Sequence, residues 1–82
     1  MDKILVSIYV LSIDENYDVL LPINLKMMEA LDLIQNIIVE LSNNNYEKHD
    51  NAMLINGDSL AINNENVVRL SGLTNGCKVI LV

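Results

Sequence analysis

The side chains able to do chemistry in this chain are few and scattered. Cys77 is the one cysteine and His49 the one histidine. A thiol nucleophile needs a base within hydrogen-bond reach. His49 sits in a polar loop, Asn43 to Asn51, and Cys77 opens an apolar run, so nothing in the order of elements pairs them. A cysteine at the start of a strand reads most simply as a small packing residue, and His49 as a solvated loop residue. One cysteine and one histidine do not make a metal site. Asp14, Glu15 and Asp18 cluster around a turn. They could hold Ca²⁺ weakly, but their spacing matches no known calcium loop and solvated turn charge is the simpler reading. Asn56-Gly57 and Asn75-Gly76 are tight-turn signals. No glycine-rich loop precedes a helix, as a phosphate cradle requires. The residues supply no catalytic constellation, and the chain is expected not to be an enzyme, to carry no cofactor and to bind no metal.

The elements that would position a site are clearer. Met27, Leu31, Ile34, Ile38 and Leu41 recur at the spacing of one helical face. Ala30, Leu33 and Ile37 widen it. Glu29, Asp32, Gln35, Asn36 and Glu40 fill the opposite side. Asn24 is the expected N-cap, Pro22 discourages helix upstream, and the run from Ser42 to Asn45 ends it. Lys3 to Ile13 alternates at period two, with Ile4, Val6, Ile8 and Val10 on one face. Asp14 to Asn16 is the expected turn, and Tyr17 to Ile23 the second strand of a hairpin. Pro22 cannot donate to a ladder and places that strand at an edge. Ala52 to Ile55 and Asp58 to Ile62 are expected short strands, separated by Asn56-Gly57. Asn63 to Asn66 reads as a turn, Val67 to Leu73 as a turn or short helical piece plugging the core, and Cys77 to Val82 as the last strand. The expected architecture is one α+β domain over residues 1–82, with a mixed sheet and one helix packed across one face.

Composition narrows the partners. The formal net charge is −6, and the five basic residues are dispersed. Nucleic-acid binding, which needs clustered lysine and arginine against phosphate, is not expected. No apolar run reaches the roughly 20 residues that span a bilayer. The start lacks the pattern of a signal peptide, and a lone cysteine gives no disulfide framework. A soluble cytoplasmic protein without direct membrane insertion is expected. The interior must be built from Ile, Leu, Val and Met, since Trp and Phe are absent.

More apolar side chains are present than one core face can use. If Ile4, Val6, Ile8 and Val10 face the helix, Leu5, Tyr9 and Leu11 face away. The same alternation puts Leu54, Ile80 and Val82 on that outer side, with Leu20 near the edge. A contiguous outer patch of this kind marks a partner or self-association surface. The competing reading is a register shifted by one residue, which would exchange the faces. Leu25, Met28 and Val39 lie off the main helical face and read as rim packing.

The hairpin, the helix after Pro22, the stretch Met53 to Leu60 and the ending Leu73 to Val82 together resemble ubiquitin. The likeness is one of pattern over nearly the whole chain. The start DKILVSIYVLS, followed by YDVLLPIN and LIQNIIVEL, more closely resembles the YukD-like (EsaB-like) family. These are small bacterial ubiquitin-like proteins that accompany type VII (Esx) secretion systems. The resemblance implies a β-grasp fold and a non-enzymatic accessory or regulatory role, by docking on the membrane machinery at the inner face of the cell membrane; the outer patch keeps a homodimer as the other expected partner. Conjugated ubiquitin-like proteins and sulfur carriers end in a flexible Gly-Gly tail. Here the sequence ends Lys78-Val79-Ile80-Leu81-Val82, inside the expected strand. The alternatives are therefore a modifier or carrier whose tail lies beyond this chain, or a cytosolic domain of a larger secretion membrane subunit.

Overall fold

The computed structural model describes residues 3–56, 67–68 and 72–82. The expected strand Asp58–Ile62, the turn Asn63–Asn66, Gly57 of the Asn56-Gly57 turn and part of the expected plug lie outside the described residues. The elements are β1 (Lys3–Val10), β2 (Glu15–Pro22), α1 (Met27–Leu41), β3 (Leu54–Asn56) and β4 (Cys77–Leu81). They form a mixed four-stranded sheet in the order β2-β1-β4-β3. β1 pairs antiparallel with β2 and parallel with β4, and β3 runs antiparallel to β4. The parallel pair sits centrally because the long excursion through the helix returns the chain beside its own first strand. β2 is an edge strand, as Pro22 requires.

Alternation along β1 buries Ile4, Val6, Ile8 and Val10. Register then decides their neighbours. Val79 lies beside Ile8 and Leu81 beside Val10, while Leu21, Val19 and Tyr17 lie opposite Ile4, Val6 and Ile8. Against this floor α1 lays Met27, Ala30, Leu31, Ile34 and Ile38, all buried. Each large apolar side chain among them contributes roughly 1.5–3 kcal/mol of gross burial energy, most of which chain entropy offsets. Val68 and Leu73, from the expected plug, are buried in the same core.

Three boundaries differ from expectation. The first turn spans residues 11–14 rather than 14–16, so β1 ends at Val10 and β2 begins at Glu15. Asp14 takes a left-handed conformation (φ 52°), which a short polar side chain tolerates. Tyr9 holds it there by donating its hydroxyl hydrogen to Asp14 Oδ1 at 2.5 Å. Second, the helix starts at Met27 and is not capped by Asn24. Lys26 bridges to Val67 and Val68 N donates to the Leu25 carbonyl at 2.8 Å, so the tertiary structure claims residues 25–26 as extended chain. The Glu29 carboxylate instead accepts from Lys26 N at 3.2 Å.

Third, the buried helical stripe is rotated from the one the apolar spacing marks. Leu41 is exposed, while Gln35 and Ser42 are buried. The returning chain explains this. Tyr46, itself buried, donates to Gln35 Oε1 at 2.7 Å, and His49 N donates to the same oxygen at 3.0 Å. Gln35 Nε2 donates to the His49 carbonyl at 3.2 Å. The amide thus serves as an internal adaptor that closes the loop onto the helix. The loop is entered through Asn43 and Asn44, both at positive φ (54° and 67°). Asn44 N donates to the Val39 carbonyl at 2.9 Å, satisfying one of the helix's last acceptors.

Candidate functional site

The side chains first considered for chemistry remain apart. Cys77 is half-buried and packs against the core at the start of β4. His49 is exposed in the loop after α1, its ring tilted beside that of Tyr46 with centroids 6.4 Å apart. Asp14 is engaged by Tyr9. Glu15 and Asp18, opposite Val10 and Ser7 respectively, project to opposite faces of the sheet because they lie an odd number of positions apart. Among the described residues no three His, Cys, Asp or Glu side chains are placed to hold a metal ion.

The helix covers one face of the sheet, and among the described residues no helix covers the other. Cross-strand register arranges that face in rows. Leu20 and Leu5 form the first. Asp18, Ser7 and Lys78 form the second. Asn16, Tyr9, Ile80 and Ile55 form the third. Leu11, Val82 and Met53 continue the pattern beyond the strand ends: Leu11 N donates to the Leu81 carbonyl, and Met53 and Val82 exchange two backbone hydrogen bonds of 2.9 and 3.0 Å. Leu5, Leu11, Leu20 and Met53 are 39%, 55%, 58% and 45% exposed. Tyr9, Ile55, Ile80 and Val82 are half-buried. A depression of about 490 Å³ lies on this face, lined by Ser7, Tyr9, Asn16, Lys78, Val79 and Ile80.

Five of the six side chains expected on the outer patch, Leu5, Tyr9, Leu11, Ile80 and Val82, do lie there. Leu54 does not. It is 2% exposed and belongs to the core. The pairing gives the reason: residues directly opposite in an antiparallel ladder share a face. Leu54 faces Leu81, which points inward, while Ile55 faces Ile80, which points outward. Alternation along Met53-Leu54-Ile55 offers two equally apolar phases, and only the partner strand selects one. Ile55 and Met53 are thus the patch residues that sequence reasoning missed. The signal that could have found them is the β4 phase carried across to β3. Of the weaker candidates, Leu25 and Val39 pack at the rim of the core as expected, whereas Met28 is exposed.

The electrostatics of the face centre on Tyr9 and on the second row. Its hydrogen bond to the Asp14 carboxylate raises the Tyr9 pKa above 10.0, with desolvation and the neighbouring negative charge adding to the effect. Ionising the phenol would set two negative oxygens against each other. Burial alone raises the pKa of Tyr46 on the opposite side of the molecule.

The architecture has solved counterparts. It matches the ubiquitin-like domain of the type VII secretion system protein EccD1 of Mycobacterium tuberculosis, with a TM-score of 0.75 and 15% identity over 100% of this chain and 99% of that one. The fold is ubiquitin-like. A protein from work on molecular mimicry of SUMO in DNA repair matches equally well, with a TM-score of 0.75 and 17% identity over 100% of this chain and 92% of that one. A chain of the MycP5-free ESX-5 inner membrane complex matches at a TM-score of 0.72 and 14% identity, covering 100% of this chain and 21% of that one. No family model and no curated protein matches the sequence. The ubiquitin-like pattern read from the sequence is therefore the fold, and ubiquitin-like domains of type VII secretion proteins stand among its structural neighbours. No helix among the described residues is long and apolar enough to cross a membrane.

Proposed function

We propose that this ubiquitin-like chain is a non-enzymatic docking component of a type VII secretion system, of the YukD-like kind. It works on the cytoplasmic side of the membrane as a single domain, and the outer face of its sheet docks on the membrane machinery. The observation that carries the reading is the outer face itself. A sheet with one solvated face normally alternates apolar inward with polar outward. Here two of the outward rows are wholly apolar among their described members, Leu20–Leu5 and Leu11–Val82–Met53, and a third brings Tyr9, Ile80 and Ile55 together. The neighbours EccD1 and the ESX-5 inner membrane complex support the secretion context and the kind of partner.

The test is a crosslinked affinity capture of the tagged protein from its native cells, with mass spectrometry of the membrane and soluble fractions. Wild type is compared with Leu11→Glu and Ile80→Glu. Enrichment of type VII membrane components by wild type, lost in both variants while their circular dichroism is unchanged, is the expected result. Capture that survives both substitutions would refute the site. Recovery of an adenylating enzyme or of covalent adducts would overturn the docking mechanism in favour of a carrier.

A further inference from the structure

The second row of the outer face carries a charge pattern that is its own complement. Asp18 on β2 and Lys78 on β4 flank Ser7 on β1 in one cross-strand register, so the row reads negative, neutral, positive about the β1 axis. Both charged side chains are exposed, and no ion pair joins either to another described residue. From this antisymmetry we infer that the outer face pairs with the same face of a second copy of this chain, about a two-fold axis running along β1. The inference rests on the reading of this face as a docking surface and names one occupant for it.

The symmetry argument is direct. A face-to-face pair related by a two-fold axis along β1 exchanges the β2 side of one copy with the β4 side of the other. Each Asp18 then lies over the partner copy's Lys78, giving two equivalent opposite-charge contacts. An axis perpendicular to the strands would instead set Asp18 on Asp18 and Lys78 on Lys78. Residues on a two-fold axis meet their own mates, so an isologous interface needs an uncharged axial column. Leu5, Ser7 and Tyr9 supply one: leucine on leucine, hydroxyl on hydroxyl, ring on ring. Lys3 stands at one end of that column and Leu11, beyond the strand, at the other; the three strand rows between them supply the close contact. Strands about 4.8 Å apart with a rise of about 3.3 Å per residue make this face roughly 15 Å on a side. That is small beside the ~800 Å² per partner of a standard stable interface. The dimer is accordingly weak and reversible, and it covers the docking face until a tighter partner displaces it.

Charge reversal tests this in the whole protein. Sedimentation equilibrium is run on wild type, Asp18→Lys, Lys78→Asp, their equimolar mixture and the double variant. Wild type self-associates with rising concentration. Each single reversal turns both contacts from attractive to repulsive and weakens association roughly fifteenfold, as about four twofold steps of exposed ion-pair size. The mixture restores association, because the lysine-rich copy opposes the acid-rich copy at both contacts, and the double variant restores it within one chain. Wild type that stays monomeric to millimolar concentration overturns the inference. So does a dimer that ignores both reversals, or a mixture no tighter than the single variants. Circular dichroism on each variant confirms folding, which substitutions at exposed positions leave intact. A monomeric wild type whose cellular capture is still lost in Leu11→Glu and Ile80→Glu would remove the dimer and keep the docking reading. Charge-swapped dimerisation with capture untouched by those variants would do the reverse.

Discussion

Leu54 and Ile55 are adjacent, similar in size and opposite in fate, and replacing each with alanine tests the β3 register on which the outer face depends. Leu54 is 2% exposed and lies against Leu81 in the core. Truncating it removes buried methyl groups and leaves a cavity, which costs about 2–5 kcal/mol. A chain of 82 residues has roughly 4–12 kcal/mol of total stability, so the loss takes a large part of it. At about 4–8 °C per kcal/mol for a domain of this size, the melting temperature should fall by roughly 8–40 °C. Ile55 is half-buried on the outer side opposite Ile80. With no enclosed cavity to form, its alanine variant should lose about 1 kcal/mol or less, a few degrees. Thermal melts followed by circular dichroism read both. Equal shifts, or a larger shift for Ile55→Ala, would refute the register and move Leu54 back to the outer face. A charged residue at Leu54 is likewise expected to unfold the chain rather than merely abolish binding, because an unpaired charge cannot be accommodated in the core.

Other contacts give independent checks. Gln35→Ala should destabilise by about 1–3 kcal/mol, since it strands the Tyr46 hydroxyl and the His49 amide that share its oxygen; a chemical denaturation midpoint matching wild type would remove the adaptor role. Asn44→Gly should be near neutral and Asn44→Ala should cost about 1 kcal/mol, because φ of 67° suits glycine and strains a β-carbon; the same denaturation series reads it. Asp14→Asn should lower the Tyr9 titration toward 10.0 in ultraviolet difference absorbance, since the main cause of the upward shift is the carboxylate bond. The sign follows for stability. A phenol whose folded pKa is raised contributes stability that is fully present below 10.0 and is lost as pH rises through the folded value. Asp14→Asn should therefore flatten the alkaline fall in melting temperature, and an unchanged titration would show that Tyr9 is not held by Asp14.

What could be read in the sequence follows from how much of the information is local. Period two over β1 fixes its buried face and the apolar steps of α1 mark most of the helix's own without any knowledge of neighbours, and Pro22 alone sends β2 to an edge. Phase in a short apolar segment is not local. Met53, Leu54 and Ile55 are interchangeable by hydropathy, and only pairing with β4 makes Leu54 internal. The helix start fails for a related reason. Asn24 is a good cap in isolation, but Leu25 and Lys26 are drawn into contact with Val67 and Val68, which lie more than forty residues on. Gln35 is the clearest case of chemistry overriding hydropathy. Its amide is buried because three hydrogen bonds from one loop satisfy it, and no periodicity scale can show that. The outer face was legible in outline through Leu5, Tyr9, Leu11, Ile80 and Val82, since long strands carry their own phase.

The same topology explains why function should be sought on the sheet rather than around the titratable side chains. A four-stranded sheet has two faces, and its one described helix, Met27–Leu41, covers one of them. The polar chemistry of the covered side is consumed in closing the structure: Gln35, Ser42 and Tyr46 bond to one another or to nearby backbone. On the open side, the Leu5 amide donates to Asn75 Oδ1 and the Tyr9 hydroxyl to Asp14, leaving the apolar parts of those residues facing outward. Asp18 and Lys78 face outward as well, joined to no described ion-pair partner. Such a surface can be recognised by shape and charge, but it presents no nucleophile with a base beside it. Under the docking proposal, the row from Asp18 through Ser7 to Lys78 sets the polarity of the contact.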